Sequence, residues 1–149
     1  MSDNLLKLIP VDENFMPSDV AQHEATKLLK SFVSKADEVF VTVDSEIMFI
    51  DPGENLEEIF CPECGSKLDD HWWKQAMDIA YQTKFKELDI ILPCCNTRSS
   101  LNQLIYKWPA GFARFVLAAR NPETDINDEQ TKLLEKTLGC NLKSIWARY

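Results

Sequence analysis

The sequence predicts an α+β fold, read as a ferredoxin-like β-α-β-β-α-β sandwich with an N-terminal helix and a zinc-ribbon-like four-cysteine knuckle. Three observations carry this. Segments with helical apolar spacing alternate along the chain with short runs of two-residue alternation. The 149 residues are 45% hydrophobic, enough to bury one core, so residues 1–149 are expected to form a single domain. Four of the five cysteines fall into two pairs, Cys61-Pro62-Glu63-Cys64-Gly65 and Pro93-Cys94-Cys95, with 29 residues between Cys64 and Cys94.

Residues 1–16 lack a sustained period and contain Asp12-Glu13-Asn14, so they read as an irregular lead-in. Ser18, after Pro17, is a good N-cap for a helix that buries Ala21, Ala25, Leu28, Leu29, Phe32 and Val33 and ends near Lys35. Val39, Val41 and Val43 alternate with Phe40 and Thr42, and Asp44-Ser45 separates them from Ile47-Met48-Phe49-Ile50. This predicts two strands joined by a tight turn and stopped by Asp51-Pro52-Gly53. Asp69 or Asp70 caps a second helix, with Trp73, Ala76, Met77, Ala80 and Tyr81 on one side, running to about Thr83. Leu88–Leu92 reads as a short buried strand. A strand–helix–strand crossover of this kind predicts parallel strands, with residues 51 and 93 at one end of a sheet. Leu104, Tyr106 and Trp108 alternate with Ile105 and Lys107, and Pro109-Ala110-Gly111 turns the chain into Phe112–Ala119, which suggests a hairpin. Asn127 with Gln130 forms a capping box for a last helix bearing Leu133, Leu134 and Leu138, Gly139 stops it, and Leu142–Ala147 is the final strand.

The cysteine spacing points to metal ligation. In Cys61-Pro62-Glu63-Cys64-Gly65 a tight turn places two sulfurs on one side, and a glycine free to take positive φ lets backbone N–H groups point at sulfur. Cys94 and Cys95 are adjacent, and neighbouring side chains in an extended strand diverge, so a turn after Pro93 has to bring them together. Zn²⁺ held by Cys61, Cys64, Cys94 and Cys95 is the leading reading, with His71 in place of one of the last pair as the alternative. His23 lies among Gln22, Glu24 and Lys27 on a solvated helix face, and Cys140 reads as a small buried apolar residue. The rival chemistry is thiol redox. A thioredoxin-type pair opens a helix, whereas Gly65-Ser66-Lys67 interrupts the chain before the next one.

A site closed by four thiolates leaves no coordination position for substrate, which disfavours zinc hydrolysis. No phosphate-binding glycine loop, H-E-x-x-H or nucleophile elbow appears in the sequence. Asp69-Asp70 and Glu57-Glu58 are explained by helix capping and a solvated loop. Sixteen basic against 24 acidic residues give a net charge of −8, the opposite of what a nucleic-acid backbone binder needs. No apolar run approaches a membrane span, and Met1-Ser2-Asp3-Asn4 lacks a basic leader, so a cytoplasmic protein with reduced thiols is expected. The aromatic segments Trp72-Trp73 and Tyr106-Lys107-Trp108 suggest core packing, with Trp72 and Trp108 offering a possible protein-binding patch.

At Phe60-Cys61-Pro62-Glu63-Cys64-Gly65, Trp72-Trp73, Pro93-Cys94-Cys95, Ser100-Leu101-Asn102 and Trp108-Pro109-Ala110-Gly111-Phe112-Ala113-Arg114-Phe115, continuing to Asn121-Pro122, the chain resembles a family of small bacterial proteins without an established activity. The resemblance covers roughly residues 40–148 and implies a bacterial cytosolic origin and a cysteine metal site. Some members carry a transporter-ATPase label, for which this chain has no Walker motif. The functional expectation is a zinc-stabilised, non-enzymatic domain acting through an unidentified protein partner; the alternative is a thiol redox protein or sensor using Cys61/Cys64 and Cys94/Cys95.

Overall fold

The computed structural model describes residues 3–149. In chain order its elements are β1 (Asn4–Pro10), α1 (Asp19–Phe32), β2 (Glu38–Ile50), β3 (Glu58–Phe60), α2 (Asp70–Tyr81) and β4 (Asp89–Ile91). They continue with β5 (Arg98–Ser100), β6 (Ile105–Lys107), β7 (Gly111–Arg120), α3 (Asp128–Leu138) and β8 (Leu142–Arg148). Three helices and antiparallel sheets make the fold α+β.

The main sheet has the order β2-β7-β1-β8, with every neighbouring pair antiparallel. Alternation along the strands sends Leu6 and Leu8 of β1 and Phe115 and Leu117 of β7 to one face, where they pack on Ala25 and Leu29 of α1 and Leu134 and Leu138 of α3. Both helices therefore cover the same face. The opposite face carries Ile9, Ile50, Val116, Ala118 and Ile145. Local chemistry sets the helix ends. The Ser18 side chain accepts from the Ala21 N–H. Asn127 and Gln130 cap α3 reciprocally, and Gly139 takes φ +81°, as the sequence predicts. Helix α1 stops at Phe32 rather than near Lys35, because Val33 leaves helical geometry.

Several expectations are corrected. Residues 4–10 are not irregular: β1 lies in the middle of the sheet, hydrogen-bonded to β7 and β8. Leu6 and Leu8 face the helices, while half-buried Leu5 and buried Ile9 are apolar on the other face, so Leu5-Leu6-Lys7-Leu8-Ile9 shows no clean alternation. The two strands expected over 39–50 are one strand with a bulge. Val43 pairs with Phe115 and Met48 with Ala113, so residues 44–47 sit opposite Arg114 alone. The 104–119 hairpin does not form, since β6 pairs with β3 while β7 joins the main sheet. The strands flanking α2 do not share a sheet either: β3 pairs with β6, and β4 pairs antiparallel with β5 in a ribbon of its own. The leading helix is instead the connection between β1 and β2, and α2 belongs to an insertion between β2 and β7.

That insertion, residues 51–110, has its own core of Ile59, Cys61, Leu68, Leu88, Leu92, Leu101, Leu104 and Tyr106, into which Ile47 and Phe112 project from the main sheet. Phe112 is the joint, with ring centroids 5.1 Å from Phe49 and 5.2 Å from Phe85. Polar ties reinforce it. Lys143 Nζ donates to the Ala110 carbonyl at 2.9 Å, the Phe112 N–H to Asn102 Oδ1 at 2.9 Å, and Asn55 Nδ2 to the Trp146 carbonyl at 3.0 Å. Where the chain leaves β2, Gly53 has φ +61° and passes so close to Arg148 that a Cβ would collide with its carbonyl oxygen. We expect Phe112→Ala to lower stability in urea denaturation by about 4 kcal/mol; a loss below about 1 kcal/mol would show that the two cores are not joined through this ring.

Candidate metal centre

The first cysteine pair sits on a tight turn. The Cys61 N–H donates to the Ser66 carbonyl at 2.8 Å, the Gly65 N–H donates to the Cys61 carbonyl at 3.0 Å, and Gly65 has φ +76°. The N–H groups of Glu63 and Cys64 both point at Cys61 Sγ, 3.3 Å away. The second turn repeats this backbone. The Leu92 N–H donates to the Thr97 carbonyl at 2.9 Å, the Asn96 N–H donates to the Leu92 carbonyl at 2.8 Å, and Asn96, a residue that tolerates left-handed φ, stands at +57°. Pro62 and Pro93 occupy the same position in the two turns.

Aligned this way, Leu92 takes the place of Cys61, Cys94 that of Glu63, and Cys95 that of Cys64. The second turn thus carries its sulfurs at its third and fourth positions instead of its first and fourth. That is how adjacent cysteines converge: they lie on a turn, where successive side chains need not oppose, and not on a strand. Leu92, fully buried, fills the insertion core at the position that Cys61 fills in the other turn.

The four sulfurs lie within 4.8 Å of one another, Cys64 and Cys94 at 3.4 Å and Cys61 and Cys95 at 3.8 Å. A tetrahedral ion with metal–sulfur bonds of about 2.3 Å needs sulfurs about 3.8 Å apart, so the set fits one metal ion. None of the cysteines is in a disulfide, and 3.4 Å is far beyond the roughly 2.05 Å of an S–S bond. Cys61 is buried in the core while Cys64 and Cys94 are exposed, so the centre spans from the interior to the surface.

Two hydroxyls that sequence inspection missed flank the sulfurs. Ser66 and Thr97 each follow the fourth residue of their turn by two, and that shared spacing is the signal that could have found them. The hydrogen bond to Ser66 draws the Cys64 thiol down to about 6, and Thr97 lowers Cys95 in the same way. Cys94 is pushed up to about 12 by loss of hydration among the sulfurs and by hydrogen bonds to Cys64 and Cys61. The hydroxyls therefore favour thiolate at the corresponding position of both turns, while the crowding of four sulfurs opposes full ionisation without a cation.

The other candidates fall outside the centre. His71 is exposed in the first turn of α2 and is not one of the clustered ligands, and His23 is exposed on α1. Cys140 is half-buried against the α1–α3 core rather than fully enclosed, and burial raises its thiol to about 11. Asp69 caps α2 by accepting from the Trp72 N–H. Trp73 Nε1 donates to the Tyr106 hydroxyl, which donates in turn to the Leu101 carbonyl at 2.7 Å. Trp108 is exposed and Trp72 half-buried.

Comparisons with protein-family models, with curated proteins and with solved structures found no match for this chain. Among the described residues no helix is long and apolar enough to cross a membrane.

Metal binding by these sulfurs should compete with protons. Cys94 holds its proton up to about 12 and Cys64 loses its own near 6, so loading at neutral pH must expel at least the Cys94 proton. Affinity should accordingly fall at least about tenfold for each pH unit lost above 6, and more steeply below it, as Cys64 also has to be deprotonated. Competition with a chromophoric chelator between pH 5 and 8 measures this, and a flat profile would exclude the thiolates as ligands.

Proposed function

We propose that Cys61, Cys64, Cys94 and Cys95 ligate a single structural zinc ion and that the protein is a non-enzymatic interaction domain. The observation that carries the first part is the pair of matching turns, which converge four sulfurs at tetrahedral spacing from two ribbons. All-sulfur tetrahedral coordination is a zinc preference, although iron takes the same ligands. A closed four-thiolate shell leaves no position for a substrate, so the ion is a staple. The elements β1-α1-β2-β7-α3-β8, the order β2-β7-β1-β8 and two helices on one face support reading the larger part as a ferredoxin-like β-α-β-β-α-β sandwich, assembled from other segments than local patterns suggested. The acidic balance supports a basic protein partner over nucleic acid.

Elemental analysis of the natively purified protein tests the metal. About one zinc per chain, with four thiols unmasked by chelator under denaturing conditions, is expected. Cys61→Ser should lower the Tm by about 10 °C, from a loss of ~3 kcal/mol at roughly 3 °C per kcal/mol, and Cys140→Ser by much less. A larger effect at Cys140, or a chain without metal, would sink the assignment.

One observation favours a thiol redox reading. Cys64 and Cys94 are both exposed, with sulfurs 3.4 Å apart. With a peroxide as oxidant, these two metal-held thiolates would give up two electrons to form a disulfide, the peroxide taking two protons from solvent to leave as two water molecules, and the ion, having lost two ligands, would be released. Peroxide-driven zinc release with a Cys64–Cys94 disulfide identified by mass spectrometry would establish that reading. Retention of zinc would leave the structural role alone.

A further inference from the structure

The ribbon that carries Cys94 and Cys95 has an unused edge. Strand β4 has β5 as its one strand neighbour. The Leu92 N–H bonds to Thr97 and the Leu101 N–H to Leu88, so alternation spends the main-chain groups of residues 88, 90 and 92 on β5. The N–H and C=O groups of Asp89 and Ile91 consequently point away from the ribbon. Edges are usually blunted by shortness, charge, proline or a covering element, and three-residue β4 with its Asp89 is partly so. Here Asp89 and an Ile91 that is 52% exposed stand on it.

Beside that edge runs a groove of about 430 Å³, walled on one side by Trp72, Ala76 and Ile79 of α2 and on the other by Asp89, Ile90 and Ile91. Three consecutive residues of β4 line it and none of β5 does, with Leu101, bonded to Leu88, at its inner end, so the groove runs along β4 between that strand and α2. Ile79 is 66% exposed, an unusual cost for a branched aliphatic side chain beside a second exposed isoleucine. No lysine or arginine lines the groove, and its charged groups are Glu87 and Asp89.

We infer that an extended, basic segment of another protein adds to the edge of β4 in this groove, placing an aliphatic side chain against Ile79 and Trp72 and its lysine or arginine residues toward Glu87 and Asp89. The main chain of such a segment would meet the outward N–H and C=O groups of Asp89 and Ile91, the strand-addition mode of peptide recognition. A second copy of this chain fits poorly, because it would bring its own acidic groups to an acidic rim. The inference rests on the reading of the protein as an interaction domain and names the kind of partner. It also joins partner to metal: β4 leads directly into the turn of Cys94 and Cys95, so an ordered metal turn keeps the receiving edge in place.

The test uses the full-length protein, its metal content measured separately, and a seven-residue amidated peptide alternating lysine with valine or isoleucine. Calorimetric titration, with Trp72→Phe to assign any change in tryptophan fluorescence, should show saturable binding. Ile79→Ser and Asp89→Lys lie at exposed positions and should each weaken binding about fivefold or more without changing the Tm. Glutamate in place of lysine in the peptide, or N-methylation of alternate amides with side chains unchanged, should abolish binding. Equal binding of the N-methylated peptide would reduce the contact to surface charge and overturn the proposal. So would absence of binding to folded, metal-loaded protein, or sedimentation showing a dimer that Asp89→Lys strengthens. A metal-free but folded chain that still binds the peptide would overturn the zinc assignment and the link between metal and receiving edge, while leaving the strand-addition site standing.

Discussion

The two cysteine turns of the insertion are constrained by one requirement, that four sulfurs lie within 4.8 Å of one another. Beyond α2, the insertion is built from strands of three residues, β3 with β6 and β4 with β5, each pair a two-stranded ribbon. Ribbons that short are marginal by themselves. Four sulfur groups in contact add little attraction as thiols and repel one another as thiolates. A divalent ion held there would reverse that sign and turn the cluster into a tie between the two cysteine turns. Cys61 connects the sulfur cluster directly to the insertion core, where it packs with Leu92 and Tyr106, so a metal held there would act on residues that hydrophobic burial already fixes.

The main sheet has no comparable need. Its strands run to 7, 13, 10 and 7 residues, and two amphipathic helices seal one face. The insertion leaves from the end of β2 and returns at the start of β7, neighbours in the sheet, so both attachment points lie side by side. This explains why Phe49 and Phe112, paired in register, form the joint and why the aromatic residues Trp73, Tyr106 and Phe85 gather there. Polar ties from Asn55, Asn102 and Lys143 then hold the orientation that apolar contact alone would leave loose.

The geometry also separates two kinds of exposed chemistry. Cys64 and Cys94 reach the surface at the tips of their turns, where water, chelators and oxidants have access. Ile79 and Ile91 reach it along the helix–strand groove, where access is lateral and shaped. Both belong to the same small body, so a disturbance of the cysteine turns reaches the groove through β4 without crossing the main sheet.

What the sequence determined by itself was local. Ser18, Asp69 and the Asn127/Gln130 box begin their helices where a side chain can satisfy nearby N–H groups, Gly139 ends one by accepting positive φ, and Cys61-Pro62-Glu63-Cys64-Gly65 forms its turn from neighbours alone. Tertiary structure decided the rest. The pattern of β1 was hidden because this central strand carries apolar residues on both faces, and the bulge in β2 resembled a turn because Asp44-Ser45 suits either. Which strand met which depended on contacts far apart in sequence, and so the apparent hairpin at Pro109 was divided between two sheets. The convergence of Cys94 and Cys95 on Cys61 and Cys64 was of that kind too. Spacing suggested it, but only the folding of two ribbons against one core brings sulfurs 30 or more residues apart to bonding distance of one ion.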